Sequence, residues 1–220
     1  MKNIYHRYIN LPFELKTPEV IKNSPKNPVY IDDNPYDHFD ENLYKWLRRY
    51  HLNVEAYESL YTPPHSYVPL HIDGHNQGKE LMKLNLSYGA KESTMRWYKS
   101  DKLVEQTDKN STQYHEKDVK LQDLNLYDDY RVVDHIDPGV KIESGTDYDF
   151  GFVTASLSDA TLIYEANTSR PSIVNAGILH GTHNPTDEGR WTLSIILKDR
   201  FNNDLDFYTA LEIFADVLEE

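Results

Sequence analysis

Between positions 81 and 88 the chain reads Leu-Met-Lys-Leu-Asn-Leu-Ser-Tyr, an alternation that holds at seven of eight positions. Successive side chains of a strand point to opposite faces, so Leu84 and Leu86 fall on one face and Lys83, Asn85 and Ser87 on the other. A period of two does not suit a helix, and this stretch therefore has to be a strand of a sheet with one apolar face. Shorter strand-like runs recur at 54–61, 67–72, 94–98, 151–155, 161–165, 172–175, 178–180 and 190–197, parted by Gly, Pro and Asn turns. Helical spacing is confined to two places. Asp40 can cap a helix running to about Tyr50, where Leu43, Trp46, Leu47 and Tyr50 share a face. Leu205, Tyr208, Leu211, Phe214 and Leu218 mark a second helix over 204–220. Many short strands with helices only at the flanks predict a mainly β chain, a sandwich or jelly roll.

The 220 residues are expected to form one domain over 1–220. Pro12, Pro18, Pro25, Pro28 and Pro35 make the early chain an extended wrap, which with the first helix occupies 1–52. Residues 99–149 are polar and poor in strand-like runs, and read as an insertion or lid over the mouth of the fold. There is no cysteine, which excludes disulfides, iron–sulfur clusters and thiolate zinc sites and suits a cytoplasmic setting. A formal charge of −13 argues against nucleic acid or anionic membrane as a partner. The start of the chain lacks the apolar core of a secretion signal, and no apolar run approaches membrane-spanning length. Oligomeric state is not legible.

The chemistry concentrates in Leu70-His71-Ile72-Asp73-Gly74. On a strand His71 and Asp73 face one way and Ile72 the other. A second imidazole, His180, closes the apolar run 173–179, and Arg190 opens a further strand ten positions later. Two imidazoles and one carboxylate cover one face of an octahedral ion and leave positions open, which suits Fe(II) and oxygen chemistry. Rivals for these positions exist. His135 and Asp137 form a second H-x-D, but Pro138-Gly139 and the polar surroundings favour a surface turn. His75 lies past the turn after Asp73, and His183 sits in Thr182-His183-Asn184-Pro185, which reads as loop. Arg190 shares a strand face with Thr192 and Ser194, and its fork can grip a carboxylate at two points. Lys83 and Asn85 share a face that looks either inward or to solvent, and Arg96, Trp97 and Tyr98 belong either to the mouth or to the core.

This constellation resembles the Fe(II)/2-oxoglutarate-dependent dioxygenases, whose pattern is H-x-D, a distant His, then an Arg followed two positions on by a hydroxyl residue. Here those are His71, Asp73, His180, Arg190 and Thr192. The stretches 83–88 and 174–184 also look like the family's strands around its metal ligands, and the likeness covers about 54–98 and 151–197. It is closest to small stand-alone members of bacterial and phage type. Two departures are a long Asp73-to-His180 gap, which the 99–149 insertion explains, and Thr rather than the commoner Ser after the Arg. The resemblance implies a double-stranded β-helix, a cupin-like jelly-roll barrel, with Fe(II) held by His71, Asp73 and His180. It implies 2-oxoglutarate held by Arg190 and Thr192, within reach of Lys83 and Asn85. The expected outcome is hydroxylation of a small molecule or protein side chain, with succinate and carbon dioxide as co-products. A zinc hydrolase, a cupin-like isomerase and a metal-free jelly-roll binding module are the competing classes.

Overall fold

The computed structural model describes residues 3–17, 29–31, 40–62, 64–68, 70–73, 81–106 and 152–219. In chain order the elements are β1 (His6–Tyr8), β2 (Val29–Ile31), α1 (Glu41–Arg49), β3 (Asn53–Thr62), β4 (Ser66–Tyr67), β5 (His71–Ile72) and β6 (Met82–Gly89). There follow β7 (Thr94–Ser100), β8 (Val104–Gln106), β9 (Phe152–Thr154), β10 (Ala160–Asn167), β11 (Ser172–Asn175), β12 (His180–Asn184), β13 (Arg190–Lys198) and α2 (Phe207–Ile213). The strands form two antiparallel sheets. One has the order β1-β11-β6-β13-β3-β2; the other has β10-β7-β12-β5-β9-β8, with β4 added beside β12.

The mainly β expectation holds, and the alternation of β6 explains how the sheets are covered. Met82, Leu84 and Leu86 of β6, with Leu193, Ile195 and Leu197 of β13, bury one face against Leu43, Trp46 and Leu47 of α1 and Phe207, Ala210 and Phe214 of α2. Trp46 stacks on Phe214 with ring centres 5.2 Å apart. This is the largest apolar core, and it lies outside the pair of sheets. Each fully buried Leu or Phe here contributes about 2 kcal/mol. Both helices start on an aspartate: Asp40 accepts from the Asn42 N–H, and Asp206 from the N–H groups of Tyr208 and Thr209.

The opposite faces of β6 and β13 look toward the second sheet. Val174 of β11 packs there with Met95, Trp97 and Ala166. The remaining inward positions are polar yet almost inaccessible: Lys83 is 4% exposed, Asn85 6%, Arg190 1%, Thr192 6% and Ser194 4%. Asn85 Oδ1 accepts from Ser194 Oγ at 2.8 Å, which satisfies two of these groups across adjacent strands.

Several boundaries differ from expectation. The run 67–72 is two short strands rather than one, β4 and β5; Pro69 between them has no N–H to give a ladder. His180 begins a strand instead of ending one, and 182–184, expected as loop, continue it because β12 pairs with both β4 and β7. The second helix spans Phe207–Ile213 rather than 204–220, with Asp206 as its cap, and turns replace helix beyond it. Of the expected insertion 99–149, the first residues end β7 and form β8, which pairs with β9 up to Gln106 opposite Phe152. Positions 107–149 lie outside the described residues.

Trp97 and Tyr98 are core rather than mouth, and Arg96 of β7 pairs with Glu165 of β10. No helix among the described residues is long and apolar enough to cross a membrane.

Candidate metal centre

Strands β5 and β12 lie side by side, with His71 opposite His180 in the ladder. Their rings are 4.5 Å apart. Asp73 follows β5 directly, and its backbone N–H donates to the Ala176 carbonyl at 3.0 Å, which pins the bend that brings its carboxylate beside both imidazoles. His71 Nε2 is 3.2 Å from Asp73 Oδ1, and His180 Nε2 is 3.8 Å from Asp73 Oδ2. One ligand atom from each residue can be chosen so that all lie within 4.8 Å of one another. Metal–ligand bonds of about 2.1 Å at right angles put neighbouring donors about 3 Å apart, so small adjustments would close this set on an ion.

The histidine tautomer suits that role. His180 Nδ1 lies 2.8 Å from the Ile178 carbonyl, which can only accept, so Nδ1 carries the proton and the Nε2 lone pair faces Asp73. Burial and the neighbouring His71 bring the His180 pKa down to about 4, keeping it neutral and ready to ligate. Burial alone would push the Asp73 carboxyl up. Lys83 and His71, with a smaller contribution from His180, outweigh it and hold the group well below the usual carboxylate range. Lys83 Nζ is 2.8 Å from Asp73 Oδ2.

These residues line one side of a cavity between the sheets, of about 40 Å³. Thr62, Asn85, Thr182, Thr192 and Ser194 supply its polar wall; Val68, Met95, Val174 and Ala176 supply the apolar one. That volume takes one or two waters, and a five-carbon diacid needs the walls to part.

Arg190 does not line this cavity, although it shares its strand face with Thr192 and Ser194, which do. Its guanidinium sits at the adjacent end of the same interior among hydroxyls. Nη2 donates to Ser87 Oγ at 2.8 Å and to Thr168 Oγ1 at 2.5 Å, and Nη1 donates to Ser93 Oγ at 3.3 Å. Nε is buried with no hydrogen-bond partner among the described residues. Among the described residues no carboxylate pairs with it, and burial alone lowers its pKa to about 10.

Of the rivals, His183 lies three residues from His180 along β12, an odd spacing that turns it to the other face, and it meets Arg96 and Glu165 there. His75, His135 and Asp137 lie outside the described residues. Ser93 and Thr168 were not foreseen from the sequence, since both sit just off strand ends where no periodicity marks them; Ser87 had the parity signal of Lys83 and Asn85.

No family model, curated protein or solved structure matches this chain.

Proposed function

We propose that this chain is an Fe(II)- and 2-oxoglutarate-dependent dioxygenase built on a double-stranded β-helix and acting on a small molecule or protein side chain. The order β3-β13-β6-β11 facing β5-β12-β7-β10 supports the jelly-roll part of this reading, because successive strands pass back and forth between the sheets. The donor set His71, Asp73 and His180 supports the metal, bringing one carboxylate and two imidazoles together with ligand atoms within 4.8 Å of one another. With iron and keto acid bound, the pair would supply oxidative decarboxylation to succinate and carbon dioxide, coupled to oxidation of the substrate.

The observation that carries the proposal is Arg190. A guanidinium 1% exposed, held by hydroxyls and lacking a carboxylate among the described residues, is costly unless an anion arrives. On β6, Lys83 at the metal end and Ser87 at the Arg190 end are four residues apart on one face, about 13 Å of strand. A diacid of five carbons spans about 7 Å from oxygen to oxygen, and a metal bond of about 2 Å at one end with a hydrogen bond of about 3 Å at the other brings this to about 12 Å, close to that separation. Thr192, next to Arg190 on that face, and Asn85, beside Ser194, would line its path.

A hydrolytic zinc site is less well served. Its general base should stand free beside the metal, yet among the described residues the carboxylate lining the cavity is Asp73, which this reading already uses as a ligand.

The test is a titration of 2-oxoglutarate into the Fe(II) form under nitrogen, followed by the weak visible charge-transfer band, then succinate release across a panel of small molecules and peptides. Arg190→Lys keeps the charge but loses the planar fork, so affinity should fall at least tenfold. Equal affinity in wild type and Arg190→Ala would overturn the 2-oxoglutarate reading.

A further inference from the structure

The two oxygens of Asp73 have different neighbours. Oδ1 faces His71 Nε2 at 3.2 Å; Oδ2 carries the Lys83 ammonium at 2.8 Å. Lys83 reaches that position from the inward face of β6, opposite Val174 of β11, and its side chain is 6% exposed. Both partners are therefore fixed by strand register, not by a surface encounter.

We propose that Lys83 is a positioning residue that makes Asp73 a one-oxygen metal ligand. The inference rests on the metal-site reading above. Carboxylates bind divalent cations through one oxygen or both, and the choice depends on what else holds the second oxygen. An ammonium hydrogen-bonded to Oδ2 makes that oxygen a poor second donor and fixes the plane of the carboxylate. Oδ1, the oxygen beside His71, is then the one offered to the metal, while Oδ2, 3.8 Å from His180 Nε2, stays with the ammonium. Three protein donors on a six-coordinate ion leave three positions open; a two-oxygen Asp73 would leave two. An oxygenase whose cosubstrate chelates through two atoms needs the third position for dioxygen, so Lys83 would keep that position open without touching the reacting atoms.

The experiment uses the full chain with Mn(II) as the probe, counting metal-bound exchangeable waters by solvent-proton relaxation and measuring Mn(II) affinity in the same titration. Lys83→Met removes both charge and hydrogen bond at nearly constant volume. It should lower the count from about three waters to two and tighten Mn(II) binding, since a neighbouring cation is lost as Oδ2 becomes a donor. Lys83→Gln keeps an N–H donor without the charge, and should retain the wild-type water count. Thermal unfolding of each variant separates a folding failure from an altered site, and Lys83→Gln carries the comparison if Lys83→Met does not fold. In that case, a Gln variant that keeps the wild-type water count would support the hydrogen bond, and one that loses a water would overturn the proposal. A folded Lys83→Met protein with the wild-type water count would overturn the proposal. Wild-type protein that binds no Mn(II) would overturn the metal reading beneath it.

Discussion

His6 shows how sharply a single position can set the pH range of this molecule. It lies in β1 with 4% exposure, edge-on to Tyr8 at 4.4 Å and near Trp97 and Tyr164, and neither ring nitrogen has a hydrogen-bond partner among the described residues. Burial first, then the charges of Arg7 and Arg170, lower its pKa to about 4 from an ordinary 6.5. Above pH 6.5 the imidazole is neutral both folded and unfolded, and its contribution is fully present. As pH falls from 6.5 toward 4 the unfolded chain takes up a proton that the folded one refuses, so stability is lost across that window and levels off below it. The loss should reach about 2–3 kcal/mol. His6→Phe keeps the aromatic contacts and removes the titrating group. Urea denaturation of the metal-free protein at pH 7 and pH 4.5 should therefore show a smaller fall for the variant. Identical falls would mean that His6 does not titrate in this window.

At the scale of elements, the β6–β13 pair decides the geometry of the interior, and Gly89 is its closing point. Gly89 stands opposite Arg190 in the ladder, with φ at +87°. A Cβ there would lie 2.3 Å from the Gly189 carbonyl oxygen, a backbone atom that cannot swing aside. Gly89→Ala should cost about 2–4 kcal/mol through strain and clash combined. It should also displace Arg190 and so weaken binding of the proposed cosubstrate, and calorimetry on the variant reads both the stability and the binding. A stability unchanged within 0.5 kcal/mol, a margin typical of neutral surface changes, would contradict this.

The same two strands show what was readable beforehand. The apolar half of the alternation in β6 identified the strand and its buried face correctly. The polar half was ambiguous, because Lys83, Asn85 and Ser87 would read identically on a solvent face. Burial of that half follows from the second sheet lying over it, a long-range fact with no local signature. The grouping of His71, Asp73 and His180 was legible because the H-x-D spacing joins the first two and an apolar run leads to the third, although a bend just after β5, not strand parity, places Asp73. The partners that Lys83 and Arg190 find, the Asp73 carboxylate on the far side of residues 74–80 and the hydroxyls of Ser87, Ser93 and Thr168, left no periodic pattern. Helix α2 was located but overextended, since Leu211, Phe214 and Leu218 pack on the core at helical spacing even though regular helix ends at Ile213.

For the whole molecule, one sheet serves two interiors: an oily one against the helices and a polar one against the second sheet. Stability and chemistry are thereby drawn from opposite faces of the same strands. The ladder of β8 and β9 adds a further consequence. Gln106 is paired with Phe152, so these two positions stand a single strand spacing of about 5 Å apart. Joining those two residues through an Asn-Gly turn needs no rearrangement of either strand. A protein lacking residues 107–151 in this way should fold and bind Mn(II) at His71, Asp73 and His180; loss of Mn(II) affinity in a folded variant would show that the removed stretch helps to build the centre. Because the entropy of closing a loop grows only with the logarithm of its length, the sheet can carry a tether of almost any size at that point. The β8–β9 edge is accordingly a natural graft site, where one segment could be exchanged for another without His71, Asp73 and His180 registering the change.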